Sequence, residues 1–134
     1  MPTQGTWLPR LLSVVAALLA VIYLLTCVLV SPADGDQIAF GYRFRGVAGW
    51  LMSALHATFF AWLAYVAWKR RPAAAWGVIA YCVYVIETIW IYSTGPGSAD
   101  FPNLLPLLLI NTLITGALLS FCRLILKWRP AFHG

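Results

Sequence analysis

The sequence predicts an all-α membrane protein, a four-transmembrane-helix antiparallel bundle with both termini cytoplasmic. Three observations predict it. Of 134 residues, 62% are hydrophobic and only 10% charged, with a mean hydropathy of +0.83, whereas soluble domains carry roughly a quarter charged residues. Four apolar runs each reach the ~20 residues that a bilayer crossing needs. The connectors between them are short, so successive helices pack antiparallel. The chain is then one integral-membrane domain over residues 1–134.

The first run spans about residues 7–31. Arg10 before it and the stretch Leu24-Leu25-Thr26-Cys27 have some likeness to a signal peptide. The apolar run nevertheless exceeds the 7–15-residue core of such a signal, and a spanning helix is expected. The connector 32–46, SPADGDQIAFGYRFRG with its flanks, is the one sizeable piece outside the lipid. Ile38, Phe40, Tyr42 and Phe44 alternate there with Gln37, Ala39, Gly41, Arg43 and Arg45, a period of two that suits extended chain. One edge is expected to be apolar and the other to carry both arginines, which as a lid across the bundle mouth would meet lipid phosphates or an anionic ligand. Asp34-Gly35-Asp36 lacks the ligand series of a calcium loop and reads as a turn.

The second run covers 47–68, the third 72–93 and the fourth 104–127. Pro102 and Pro106 flank the start of the fourth, where a missing amide donor does little harm. Small residues recur every four positions at Ala16 and Ala20, at Ser53, Ala57 and Ala61, and at Thr112, Gly116 and Ser120; these are expected to be packing seams within the bundle. Trp7, Trp68, Trp76 and Trp128 mark one interface, Trp50, Trp90 and Tyr92 the other.

Charge sets the orientation. Arg10, Lys69, Arg70, Arg71, Arg123, Lys127 and Arg129 lie on the side of both termini, and only Arg43 and Arg45 on the other. That imbalance predicts N-in and C-in topology, with a bacterial inner (plasma) membrane as the expected location. The net charge of +5 is a topology signal and an attraction to anionic headgroups. Scattered over helix ends, it is no nucleic-acid footprint. Cys27, Cys82 and Cys122 fall at three different depths, so no disulfide is expected. No cofactor and no metal site are expected, because His56 is the only intramembrane histidine and ligands are not clustered.

Four polar side chains define a candidate site. Counted from the helix ends at 1.5 Å per residue, Glu87 lies about 9 Å below the outer face, Asn111 about 10 Å, Tyr23 about 12 Å and His56 about 13 Å. A charged side chain at mid-helix costs about 2.5–3.5 kcal/mol, so it turns away from lipid and finds a partner. The partner expected for Glu87 is His56. Phe59, Phe60, Tyr84, Trp90 and Thr115 would line the apolar remainder of a partly dry pocket.

A carboxylic acid and an imidazole in such a pocket suit acid/base chemistry. The first expectation is therefore an isomerase or epoxide-opening enzyme acting on a lipid-soluble terpenoid, sterol, quinone or polyketide-like molecule. In setting acids and a histidine among transmembrane helices the chain resembles the membrane sterol isomerases. In length and four-helix plan it resembles the small multidrug transporters. Their membrane glutamate is on the first helix and Glu87 on the third; that resemblance implies a proton-coupled transporter working as a homodimer. A third expectation is an accessory or assembly subunit of a larger membrane complex.

Overall fold

The computed structural model describes residues 7–95, 97–100 and 103–132; Pro102 and His133 lie outside them. Helix α1 (Trp7–Leu29) leads through a 3₁₀ turn, Pro32–Asp34, into strands β1 (Asp36–Ala39) and β2 (Tyr42–Arg45). Helices α2 (Val47–Trp68), α3 (Pro72–Thr94) and α4 (Leu104–Lys127) follow, with a 3₁₀ turn at Ser98–Asp100 before α4 and another at Arg129–Phe132 after it. All four helices are long and apolar enough to cross a bilayer. Their ends fall within two residues of those predicted, because apolar runs bounded by Gly, Pro and charge leave little choice of boundary.

The turn between α2 and α3 shows how local chemistry ends a helix. Arg71 N–H bonds the Val66 carbonyl and Arg70 N–H the Ala67 carbonyl, both at 2.9 Å, with Arg70 in the left-handed region at φ 54°. This is a Schellman closure, which normally takes glycine at that position. Pro72 then opens α3, its fixed φ suited to a first helical residue.

Helices α1 and α2 pack most extensively. Ser13 Oγ donates to the Ala64 carbonyl and Trp50 Nε1 to the Cys27 carbonyl, each at 2.8 Å, tying the two ends of the seam. Ala16, 1% exposed, lets the backbones approach between them. The seam expected on α4 is a correction: Thr112, Gly116 and Ser120 are all exposed, and a methyl group on Gly116 would meet nothing within 4 Å. On α2 the stripe runs from buried Ser53 to exposed Ala61, so it leaves the seam as it descends.

The main core occupies the half of the bundle nearer the termini, where Leu63, Val66, Ala67, Ala74, Ala75 and Val78 join Ile125 of α4. Phe132, fully buried, plugs that end from the last 3₁₀ turn. Arg70 Nε reaches across to the Ala131 carbonyl at 3.2 Å, and the Trp7 and Trp128 rings meet edge-on at 6.5 Å.

At the opposite end the connector folds as an antiparallel hairpin, pairing Asp36 with Arg45, Gln37 with Phe44, Ile38 with Arg43 and Ala39 with Tyr42. Phe40 (φ 54°) and Gly41 (φ 84°) form the turn, the pair of left-handed residues that a type I′ hairpin requires. A two-residue turn pairs even-numbered with odd-numbered positions, which overturns the expected split into an apolar and a basic edge. Ile38 shares its face with Arg43, while buried Ala39 and half-buried Gln37 and Phe44 face the bundle. Gly35 and Gly49 permit that docking: a Cβ on Gly35 would lie 2.4 Å from the Trp50 nitrogen, and one on Gly49 2.5 Å from the Phe44 carbonyl oxygen.

Candidate functional site

His56 sits on α2, 9% exposed. Its Nδ1 lies 2.7 Å from the Met52 carbonyl oxygen, one turn back. A carbonyl only accepts, so Nδ1 carries the hydrogen and, in the neutral ring, Nε2 keeps its lone pair. That lone pair points to α3, where Tyr84 Oη stands 3.3 Å away and donates to it. Thr88 and the Phe40 backbone are the other neighbours of the Tyr84 hydroxyl.

Aromatic rings fix the imidazole. Tyr23 of α1 stacks on it at 4.9 Å and 21°, and on Phe60 at 5.7 Å. Tyr81 meets it edge-on at 6.2 Å, with Phe59 stacked on Tyr81 at 5.4 Å. Nearer the termini, Gly77 lets α3 lie directly on Trp62 and Leu63; a Cβ there would be 2.8 Å from the Trp62 ring. One turn further on, the large rings hold α2 and α3 apart. A cavity of about 280 Å³ remains between the helices, with Met52, Leu55 and Phe59 on one wall and Ala80, Tyr81 and Tyr84 on the other. His56 forms its polar floor, and Phe40, its ring 5.1 Å from that of Tyr84, closes it from the hairpin. Leu55 and Ala80 are exposed, so the cavity opens sideways between α2 and α3.

The predicted polar layer is divided. His56, Tyr23, Phe59, Phe60 and Tyr84 come together as one cluster. Asn111 does not join them: its Nδ2 donates to Ser93 Oγ at 2.8 Å. Trp90 and Thr115 bond each other, Nε1 to Oγ1, at 2.8 Å on the same α3–α4 seam. Ser93 lies nine residues beyond Tyr84, which places it about 13 Å further along α3 and about 180° around it. Asn111 and His56 therefore occupy different levels on opposite faces of one helix.

The depth count failed because it assumed that neighbouring helices end level. The α3–α4 contacts keep a constant antiparallel register through Ser93 with Asn111, Trp90 with Thr115 and Cys82 with Cys122. In that register α4 begins about two turns above the end of α3. The same offset corrects the cysteines: Cys82 and Cys122, both buried and free, are neighbours and not at separate depths.

Glu87 lies one turn beyond Tyr84, half-buried, between exposed Val83 and Ile91. Among the described residues it makes no hydrogen bond or ion pair with His56 or any other side chain. Arg43 and Arg45 are away from the His56 cavity. Arg43 holds Asp36 with two bonds, Nε to Oδ1 at 2.8 Å being one, and both arginines border a polar recess with Tyr92 and Asp100. The guanidinium of Arg43 holds the Asp36 carboxyl below its ordinary 3.8, and the carboxylate in turn raises the arginine. Comparison with protein-family models, characterised proteins and solved structures gives no match.

Of the cavity walls, Leu55 and Tyr81 were not legible in the sequence; Met52 shares a helical face with His56 and Ala80 one with Tyr84, and Phe40 belongs to the connector expected as a lid. Phe40 had a signal. A bulky residue followed by Gly midway through an alternating stretch marks a hairpin tip, and such a tip reaches back over the bundle. Among the described residues no group of three His, Cys, Asp or Glu side chains is gathered to hold a metal.

Proposed function

We propose that the chain is an integral membrane protein of the bacterial inner membrane, both termini cytoplasmic, that takes a lipid-soluble molecule sideways from the bilayer into the α2–α3 cavity and handles its one polar end at His56 and Tyr84. The observation carrying this reading is the cavity itself: apolar walls, with hydrogen-bonding capacity gathered at one corner. Ligand sites have this composition, a mostly apolar lining with a few convergent polar groups. Tyr81 directs its hydroxyl towards Tyr23, which leaves the His56–Tyr84 corner to the ligand. At 3.3 Å the His56–Tyr84 bond is long, and a ligand oxygen displaces it at small cost. Thr88 Oγ1, buried one turn from Tyr84, neighbours that hydroxyl without forming a hydrogen bond of good geometry.

The chemistry available is proton transfer. With its lone pair free, His56 Nε2 takes a proton from a carbon beside a ligand carbonyl while the Tyr84 hydroxyl donates to that oxygen. The same proton returns at a different carbon. A double bond moves and nothing is oxidised or reduced. Positioned acid/base groups of this kind supply about 10²–10⁴-fold.

The half-buried Glu87 favours a second reading, an assembly subunit in which a partner helix brings a donor to the carboxylate. Lipid extraction and mass spectrometry of the protein purified in polymer-bounded native membrane discs decides between them. Under the cavity reading, the wild type and Glu87→Gln carry an apolar molecule enriched over bulk lipid, and Ala80→Trp, which fills the cavity from its open side, loses it. Identical lipid complements in wild type and Ala80→Trp overturn the reading.

A further inference from the structure

A second cavity, of about 380 Å³, lies between α3 and α4 near the hairpin end. Its walls are mainly aliphatic, with Ile89 from α3 and Leu107, Ile110 and Ile114 from α4, while Tyr92, Asp100 and Asn103 add polar groups to the lining. Two polar residues, Ser93 and Asn111, sit inside, 4% exposed each.

Hydrogen-bond valence orients the amide. The Ser93 hydroxyl has one hydrogen, which it donates to the Ile89 carbonyl, so towards Asn111 it can only accept. The amide therefore turns Nδ2 to Ser93, as observed at 2.8 Å. That leaves Asn111 Oδ1, an acceptor with two lone pairs, without a partner among the described residues, on a side chain that lines the cavity. Interhelical glue alone needs no cavity beside it, and an aliphatic chamber needs no amide.

We propose that this chamber is a binding site, separate from the His56 cavity, for an amphiphile whose apolar body carries a hydrogen-bond donor, an alcohol or an amine, that meets Asn111 Oδ1. Asp100 at the mouth, its carboxylate already accepting from the Tyr92 hydroxyl at 3.1 Å, adds a second acceptor. Arg43 and Arg45 border the recess beside Tyr92 and Asp100, so discrimination against an anionic amphiphile is expected from Asn111 Oδ1, which offers its acceptors no hydrogen.

Native mass spectrometry in discs of uncharged lipid tests this with three probes of one chain length: dodecanol, dodecylamine and dodecanoate. With the His56 cavity filled by Ala80→Trp, the protein is expected to bind one dodecanol or dodecylamine per chain and to discriminate against dodecanoate. Asn111→Leu is expected to weaken the alcohol about tenfold, the loss of one buried hydrogen bond. In the same background Ile110→Trp, which fills the chamber from the exposed side of α4 and spares the amide, is expected to abolish binding. Preference for dodecylamine, lost in Asp100→Asn, identifies the amine as the donor; preference for dodecanol identifies the hydroxyl, and equal binding supports an acceptor that takes either. Dodecanoate binding as tightly as dodecanol, or full dodecanol binding by both Asn111→Leu and Ile110→Trp, overturns the proposal.

Discussion

Gly41 has no room for a methyl group. A Cβ there would lie 2.3 Å from Ile91 Cγ2, and its φ of +84° is one that L residues rarely adopt. Gly41→Ala is therefore expected to destabilise the hairpin by about 1–3 kcal/mol, seen as faster tryptic cleavage at Arg43 and Arg45 with the four helices intact by circular dichroism. Its neighbour Phe40 takes the same left-handed geometry with a full side chain, at φ 54°. Strain tolerated at a single aromatic that also covers the His56 cavity argues that the ring's placement matters more than the turn's comfort. At this scale the sequence made His56 legible as a polar residue in an apolar helix and Tyr84 as part of the lining of the same pocket. It did not make their partnership legible, because Tyr84 was read as apolar lining and Glu87, with its larger charge, drew the pairing.

The hairpin as an element is held by packing on α2 and by Asp36–Arg43. The sign of the pH dependence follows from the carboxyl, whose folded value is lowered below its ordinary 3.8 by Arg43. The pair's contribution is complete above about pH 4 and is lost as pH falls through the lowered value. Both groups are exposed to solvent, so the contribution is small and screened by salt. Asp36→Asn is expected to leave hairpin protection in hydrogen exchange nearly unchanged at pH 7 in 0.5 M salt, and to remove its decline as pH falls below about 4. A decline that persists in Asp36→Asn shows that another acid governs the element. Element ends were legible from sequence because they depend on neighbours in the chain: Pro72 opening α3, Gly46 before α2. The parity of the hairpin faces was not, since it depends on a turn length that alternation alone leaves open.

Across the whole molecule, helix pairs follow chain order: α1 on α2, α2 on α3, α3 on α4. This leaves one side of α4 unpacked, and the Thr112, Gly116, Ser120 stripe falls there. Gly116→Ala is then expected to raise thermal stability by up to about 1 kcal/mol through helix propensity alone, with the same oligomeric mass by light scattering. A drop in stability accompanied by loss of a larger species shows instead that this stripe packs against a second copy. The same serial arrangement makes α3 a partition, with the His56 cavity on one face and the Asn111 chamber on the other. One polar layer from four helices would have required all four to meet around a common axis.

By itself the sequence determined four membrane-length helices, their ends and an extended connector. These are local consequences of hydrophobic length, prolines, glycines and alternation, each readable within a window of about 20 residues. Only the tertiary structure decided which polar groups share a site. That depends on the axial offset between α3 and α4 and on the rotation of each helix about its own axis. Both are set by side-chain packing between segments distant in the chain: Gly77 against Trp62, Trp90 against Thr115, Tyr23 against His56. An offset of two turns is enough to move Asn111 from one proposed site into another.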